Sequence, residues 1–156
     1  DNVMKINSII TISLLGLAFS APAVIAAEAA TEAPAKVAPA DKSLDGYPAI
    51  CTALYKDDLA AAQKAAAAMA KAHMDSPLAK HCQAIADSKT LEEARMHFKE
   101  LSDAAIPMAK HMKAMHEMHC PMASGGKGAN WLQTSDAEVQ NPYMGAKMPH
   151  CGKAVK

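Results

Sequence analysis

The sequence predicts an all-α protein, an up-and-down bundle of about four helices with an irregular C-terminal tail packed on it. Apolar side chains recur every three or four positions over residues 44–122, which is the period of a helix. The strong helix formers Ala, Leu, Met, Lys, Gln and Glu dominate the same region. Aromatic residues make up only 4% of the 156 residues, so we expect an aliphatic core.

The N-terminal segment, residues 1–27, has the pattern of an export signal. Lys5 provides the positive end, residues 6–19 are apolar, and small residues follow. Met4 is the expected initiator, which makes residues 1–3 an expected artefact. The apolar run is shorter than the ~18 residues that a membrane-spanning helix needs. We therefore expect a periplasmic or secreted protein without a membrane span in its mature form, the alternative being a retained anchor.

One folded domain is predicted after a flexible linker. Residues 28–43 consist largely of Ala, Pro and acidic residues without an apolar period, which predicts a tether. Residues 44–156 are long enough for a single modest core. They are expected to form a helical domain whose tail, residues 119–152, concentrates Cys, Met and His.

Three short helices open the predicted domain, over residues 44–55, 59–73 and 77–87. Asp58 is suited to capping the second helix, because its carboxylate can accept the free amides of the first turn. Pro77 suits the first position of the third helix.

A longer fourth helix is predicted from Leu91. Thr90 and Glu93 have the spacing of a capping box. Pro107 should kink this helix near Asp103 by removing one backbone hydrogen bond. A stripe of mostly apolar residues with alternating spacings of three and four continues past the proline, as in antiparallel bundles. This apolar seam consists of Leu91, Ala94, Phe98, Leu101, Ala105, Met108, Met112, Met115, His119 and Met122.

Charge and motif content exclude several functions. The formal net charge is zero, which argues against a nucleic-acid-binding protein with a basic face. The chain has no recognisable Ser-His-Asp set, phosphate-binding loop or paired carboxylates, so no catalytic residue is assigned and the protein is not expected to be an enzyme. Cys120 near a histidine could act as a nucleophile, but Pro121 and Met122 beside it suit a ligand loop better.

Two short clusters in the tail contain the residues that bind soft metals. Cys120 and Cys151 provide thiolates for Cu(I), Ag(I) or Zn(II). Met122 and Met148 provide thioethers, which favour the monovalent ions. The alternative for the two cysteines is a structural disulfide, whose loop of about thirty residues would contribute roughly 3–4 kcal/mol.

Three histidines complete the predicted ligand set. His119 and His150 precede the two cysteines and extend the site toward Cu(II) and Zn(II). His116 lies four residues before Cys120, on the same face if this stretch is helical, and is a secondary candidate.

The other Cys, Met and Trp residues are explained by structural roles rather than by metal binding. Cys51 and Cys82 face inward on two helices and form either a second disulfide or a pair of buried thiols. Trp131 is more simply a core residue than a cover for Cu(I). The three methionines on the apolar seam are better explained as core residues than as a copper motif, namely Met108, Met112 and Met115.

The tail resembles the C-terminal signature of a family of exported helical domains of unknown function. The shared pattern is CPMA, then WL, then NPYxG, then MxxCG, over residues 120–152. Such domains occur alone and fused to the C-terminus of CusB-like adaptor subunits of copper and silver efflux pumps. The resemblance places Cys120, Met122, Met148 and Cys151 on the family's Cys and Met positions, and implies a heavy-metal context.

The sequence thus predicts a periplasmic binding protein for a soft metal, with Cu(I) favoured over Ag(I), Cu(II) or Zn(II). It would act as a chaperone, buffer or efflux accessory, and its partner would be a copper or silver efflux adaptor or another envelope protein. The alternative is an envelope protein-interaction module without metal, whose tail is fixed by a Cys120–Cys151 disulfide.

Overall fold

Four helices fill most of residues 47–109 in the computed structural model, which describes residues 42–156. They confirm the helical part of the predicted all-α fold, and the ends of the first three helices differ from the expected ends by a few residues. Their bounds are α1 Tyr47–Tyr55, α2 Leu59–Ala72, α3 Ala79–Asp87 and α4 Leu91–Ala109. The predicted export signal, and all but the end of the predicted linker, lie outside the described residues.

Local capping explains where two of these helices begin. The Asp58 carboxylate accepts the Ala61 amide at 2.9 Å and caps α2. Thr90 Oγ1 accepts the Glu93 amide at 3.1 Å, and the Glu93 carboxylate in turn accepts the Lys89 amide at 2.7 Å. This reciprocal pair is the predicted capping box in slightly shifted form.

The predicted long fourth helix is wrong beyond Ala109. Pro107 lies in the last turn of α4, and a pair of tight turns follows the helix. Residues His116–Cys120 then form strand β1, whose burial alternates so that Met118 and Cys120 face inward. The all-α class is therefore corrected to a mostly helical domain with a small sheet.

The sheet has three antiparallel strands in the order β2-β1-β3. Strand β2 spans Ala129–Gln133 and pairs with β1 so that Met118 lies opposite Trp131. The two-residue strand β3, Lys153–Ala154, pairs with the other edge of β1. The tail is thus more regular than expected, with one short turn, α5, at Ala123–Gly126 and a 3₁₀ turn at Gly145–Lys147.

A chain of aromatic rings forms the centre of the core, although an aliphatic core was expected. The ring centroids of Tyr47 and Phe98 are 5.3 Å apart, those of Phe98 and Tyr143 5.6 Å, and those of Tyr143 and Trp131 6.0 Å. Aromatic residues are few, but these four meet where the helices and the tail join. Offset and edge-to-face contacts of this kind stabilise a core beyond the area they bury.

Tyr47 connects the helical part to the sheet. Its hydroxyl lies 2.7 Å from Ser102 Oγ on α4 and accepts the Leu132 amide of β2 at 3.2 Å. Full burial raises the pKa of Tyr47 well above its usual range, so the hydroxyl stays protonated. None of the helices within residues 42–156 is long and apolar enough to cross a membrane.

Candidate functional site

The structure brings Cys120 and Cys151 together. Cys120 is the last residue of β1 and is fully buried, whereas Cys151 lies just before β3 and is partly exposed. The pairing of β1 with β3 brings the two residues close together, and the interaction with the Cys120 side chain raises the pKa of the Cys151 thiol. The backbone of Met122 has a smaller, opposite effect on this pKa. All four cysteines of the described chain are free thiols.

Gly152 lets the tail approach the sheet closely enough to bring the two cysteines together. A Cβ at this position would lie 3.0 Å from the His119 carbonyl oxygen and 2.7 Å from Trp131 Cη2. Its φ of +140° is also a backbone conformation that residues with side chains rarely adopt. Glycine at this position therefore places Cys151 beside the end of β1.

Asn141 fixes the backbone of the second cluster from inside. It is fully buried, and its Nδ2 donates to the Cys151 carbonyl at 2.7 Å. Its Oδ1 accepts the amides of Tyr143 at 2.9 Å and Met144 at 3.1 Å, and its own amide donates to the Pro149 carbonyl at 2.9 Å. A buried side chain with all of these bonds specifies one loop conformation.

Arg95 and Asp57 attach the tail to the helices, a function that the sequence reasoning missed. Arg95 on α4 donates to the Asp57 carboxylate, to the Leu54 carbonyl at 2.9 Å and to the Pro142 carbonyl at 2.8 Å. Asp57 also accepts the Ala146 amide at 3.1 Å. The sequence gives no local signal that Asp57 pairs with residues 38 and 89 positions away.

Met122 and Met148 lie beside the two thiols along the chain and are exposed, at 54% and 40%. Met122 is two residues after Cys120, and the Met148 carbonyl accepts the Cys151 amide at 3.2 Å. Since methionine side chains are unbranched and flexible, thioethers at these positions can adapt to a ligand.

His119 lies on the opposite face of β1 from the Cys120 side chain, because successive strand residues alternate. Its Nδ1 is 2.6 Å from Asn130 Oδ1, and Asn130 Nδ2 donates to Glu117 at 2.6 Å. Asn130 Oδ1 is thus the acceptor, and His119 carries its proton on Nδ1. His119 therefore points away from the thiol of Cys120 although it precedes that residue in the chain.

The other two candidate histidines, His116 and His150, also contact partners other than the two cysteines. His116 Nδ1 lies 3.7 Å from Asp136, and in a strand its separation from Cys120 is about 13 Å along the chain rather than one helical turn. His150 is exposed, and its Nδ1 lies 2.8 Å from the Val139 carbonyl oxygen. Within residues 42–156, no three side chains from Cys, His, Asp and Glu are grouped so that they could hold a metal ion.

Cys51 and Cys82 are buried free thiols, which is one of the two alternatives left open for them. Burial raises the pKa of Cys51 to about 12 and that of Cys82 to about 11. The prediction that Trp131 and the seam methionines belong to the core is confirmed. Trp131 is fully buried, and the methionines pack partly buried against the core, namely Met108, Met112 and Met115.

The fold and the site define a mostly helical domain that ends in a small sheet with a paired-thiol cluster. A family model described as a protein of unknown function, DUF3347, matches residues 44–117. The matched region contains the four helices and ends at the second residue of β1, so both cysteines of the cluster lie beyond it. No curated protein and no solved structure matches the chain.

Acidification should weaken the attachment of the tail through Asp57. The hydrogen bond from Arg95 lowers the pKa of Asp57, so the stabilisation is present above the unfolded-state pKa of about 3.9 and is lost as pH falls through the lower folded-state value. In Asp57→Asn, the free energy of unfolding at pH 7 should fall by about 1 kcal/mol, a value discounted because the carboxylate is 35% exposed.

Urea titrations of both proteins at several pH values test this expectation. The difference between wild type and Asp57→Asn should stay constant from pH 7 to about 5 and shrink below about 4. Asp45→Asn, in the exposed turn before α1, is the matched control and should show little difference at any pH. A difference that grows on acidification would contradict the interpretation of the Arg95 pair.

Proposed function

We propose that this chain is an exported binding protein for a soft metal ion, Cu(I) first and Ag(I) second, that acts as a chaperone, buffer or efflux accessory. The observation that carries the proposal is the proximity of Cys120 and Cys151, which come from distant parts of the chain and lie close together because β1 pairs with β3. Asn141, Gly152 and the Arg95–Asp57 pair all help to hold the segment that contains Cys151. These contacts would hold the segment in place without an ion, as expected for a preorganised binding site.

The donor chemistry favours a monovalent soft ion. Thiolates and thioethers select Cu(I) over harder cations, and the exposed thioethers of Met122 and Met148 adjoin the thiols in sequence. In this proposal Cys120 and Cys151 hold the ion as thiolates, and the two methionines receive and release it by ligand exchange. His150 is next to Cys151 and would admit Cu(II) or Zn(II) as weaker alternatives. No catalytic step is assigned.

A second candidate function rests on the same pair of cysteines. Two adjacent thiols in an oxidising compartment also form disulfides. The chain would then be an envelope interaction module, with its tail fixed to β1 by a Cys120–Cys151 bond and no metal. In that case the tail contacts would serve only to shape a surface for a partner.

Mass spectrometry of the protein isolated from its native compartment separates the two functions. The isolated protein is divided, and one half is sprayed under native conditions while the other is denatured in an excess of iodoacetamide. Metal binding predicts a copper or silver adduct together with alkylation of all four cysteines after denaturation. A disulfide module predicts a mass two hydrogens lower, no metal, and alkylation of Cys51 and Cys82 alone.

Brief alkylation of the folded, reduced, metal-free protein at pH 8 provides an internal control. Cys151 should be modified first because it is partly exposed, while burial and their raised pKa values should protect Cys51 and Cys82. Modification of Cys51 as fast as Cys151 would contradict the described core.

A further inference from the structure

The two thiols of the candidate metal site differ in their access to solvent. Cys120 is fully buried at the end of β1, whereas Cys151 is partly exposed in the segment before β3. In thiol–disulfide exchange the attacking thiolate must approach the sulfur with which it reacts. A redox partner in solution can therefore reach the sulfur of Cys151, while the sulfur of Cys120 is shielded from it.

Strand pairing places the two residues at a separation that a disulfide can span. His119 lies opposite Lys153 in the β1–β3 pair. One step further along this register, Cys120 comes level with Gly152, the neighbour of Cys151. Opposite Cα atoms are about 5 Å apart and a strand rises about 3.3 Å per residue, so such a neighbour lies at about 6 Å, and disulfides join Cα atoms at about 4.4–6.8 Å. The Cys120 side chain is also close enough to raise the pKa of the Cys151 thiol.

The segment around β3 is held by hydrogen bonds that need neither a metal nor a disulfide. The buried Asn141 side chain donates to the Cys151 carbonyl at 2.7 Å, and the Asn141 amide donates to the Pro149 carbonyl at 2.9 Å. Beyond β3, the Val155 amide donates to the Glu117 carbonyl at 2.8 Å. Groups that are held close together react as if at a high local concentration. Making or breaking a bond between the two sulfurs therefore leaves their backbones in place, which makes the exchange reversible.

We propose that Cys151 is the exchange site at which an exported protein with a redox-active dithiol controls whether the metal site can bind its ion. The proposal rests on the proposed metal-binding function. In the closed form, a Cys120–Cys151 disulfide occupies both sulfurs, and neither is available as a thiolate ligand. Reduction restores the two thiols and opens the site. The exposed methionines alone are weaker ligands and do not replace them.

The exchange is balanced in electrons and protons. A thiolate of the partner attacks the Cys151 sulfur, and the Cys120 sulfur leaves as a thiolate and takes up a proton. The partner's second thiolate then attacks its own sulfur in the mixed disulfide, which forms the partner's disulfide and releases Cys151. This chain gains two electrons and two protons, and the partner's dithiol loses them. A dithiol is favoured over a monothiol because its second thiol resolves the mixed disulfide within one molecule.

Redox equilibration of the metal-free full chain tests the switch. The chain is incubated in mixtures of reduced and oxidised dithiothreitol or glutathione, denatured in acid, alkylated and analysed by mass spectrometry. Cys120 and Cys151 should lose their alkylation together in one two-electron transition that reverses on reduction, while Cys51 and Cys82 stay alkylated. In a chelator competition the oxidised chain should bind Cu(I) at least about 100-fold more weakly than the reduced chain.

Two single variants test which sulfur exchanges. With oxidised glutathione as the probe, Cys151 in the folded Cys120→Ser chain should form a mixed disulfide at least about tenfold faster than Cys120 in the folded Cys151→Ser chain. Equal rates would overturn the assignment of Cys151 as the exchange site.

Two reductants test the class of partner. Reduced thioredoxin, as a protein dithiol, should reduce the oxidised wild type at least about tenfold faster than glutathione at the same thiol concentration. Equal rates for the two reductants would overturn the protein dithiol as the partner.

The outcomes separate the switch from the proposed function. Normal Cu(I) binding by a chain whose two cysteines never oxidise together would overturn the switch alone. Equal Cu(I) affinity of the oxidised and reduced chains would also overturn it. Joint oxidation combined with no Cu(I) binding by the reduced chain would overturn the proposed function, on which the switch depends.

Discussion

Cys120→Ser combined with Cys151→Ser is expected to weaken Cu(I) binding by the reduced chain by at least about 100-fold, which corresponds to about 2.7 kcal/mol. The substitution removes both thiolates and replaces them with hydroxyls, which are harder and poorer ligands for a soft ion. The measurement is a competition titration against a coloured Cu(I) chelator, in which the wild type should take up close to one ion per chain.

Matched variants show whether the loss belongs to this pair of thiols. Cys51→Ala with Cys82→Ala removes two other thiols and should leave Cu(I) affinity within about twofold, since both are buried away from solvent. Met122→Leu and Met148→Leu should each give a smaller loss than the double serine variant. Unchanged affinity in the double serine variant would remove Cys120 and Cys151 from the site.

Trp131→Ala should lower the free energy of unfolding by about 3–5 kcal/mol, the largest stability effect we expect. The side chain is fully buried, its ring edge packs on Tyr143, and its Nε1 donates to Gln133 Oε1 at 3.1 Å. Gly152 also packs closely against this ring. Removal of the Trp131 ring therefore leaves a cavity under the segment that contains Cys151 and Gly152. Urea unfolding followed by far-ultraviolet circular dichroism provides the measurement.

Two further substitutions define the cause of that loss. Trp131→Phe keeps an aromatic ring but loses the hydrogen bond and some volume, so it should cost clearly less than alanine. Met96→Ala, at an exposed position on α4, should change stability by less than about 0.5 kcal/mol. A cost below about 1 kcal/mol for Trp131→Ala would show that the tail is not packed as described.

The helices were predictable because their signals are local. Asp58, Thr90 and Glu93 cap within their own turns, and such signals survive in any tertiary context. Strand β1 was not predictable in the same way, because its stability comes from pairing with Ala129–Gln133 further along the chain. Closely spaced Met and His residues after Pro107 happened to continue the helical seam, and this coincidence extended the predicted helix into the strand.

The extension of the predicted fourth helix into strand β1 also affected the assignment of the site residues. The sequence predicted that Cys120 and Cys151 meet, and the pairing of β1 with β3 brings them close together. His116 was joined to Cys120 through a helical geometry that a strand does not have. Asn141 and Arg95, which hold the tail, donate hydrogen bonds to backbone carbonyl groups. Every residue has such a carbonyl, so the sequence does not indicate which one is the partner.

X-ray absorption at the copper edge of the reduced, Cu(I)-loaded full chain tests the central claim most directly. The account predicts a sulfur-dominated first shell that combines the Cys120 and Cys151 thiolates with methionine thioether, and predicts that Cys120→Ser with Cys151→Ser removes the thiolate sulfur. A first shell of nitrogen from histidine, unchanged in that double variant, would contradict the assignment of these two cysteines as the metal site.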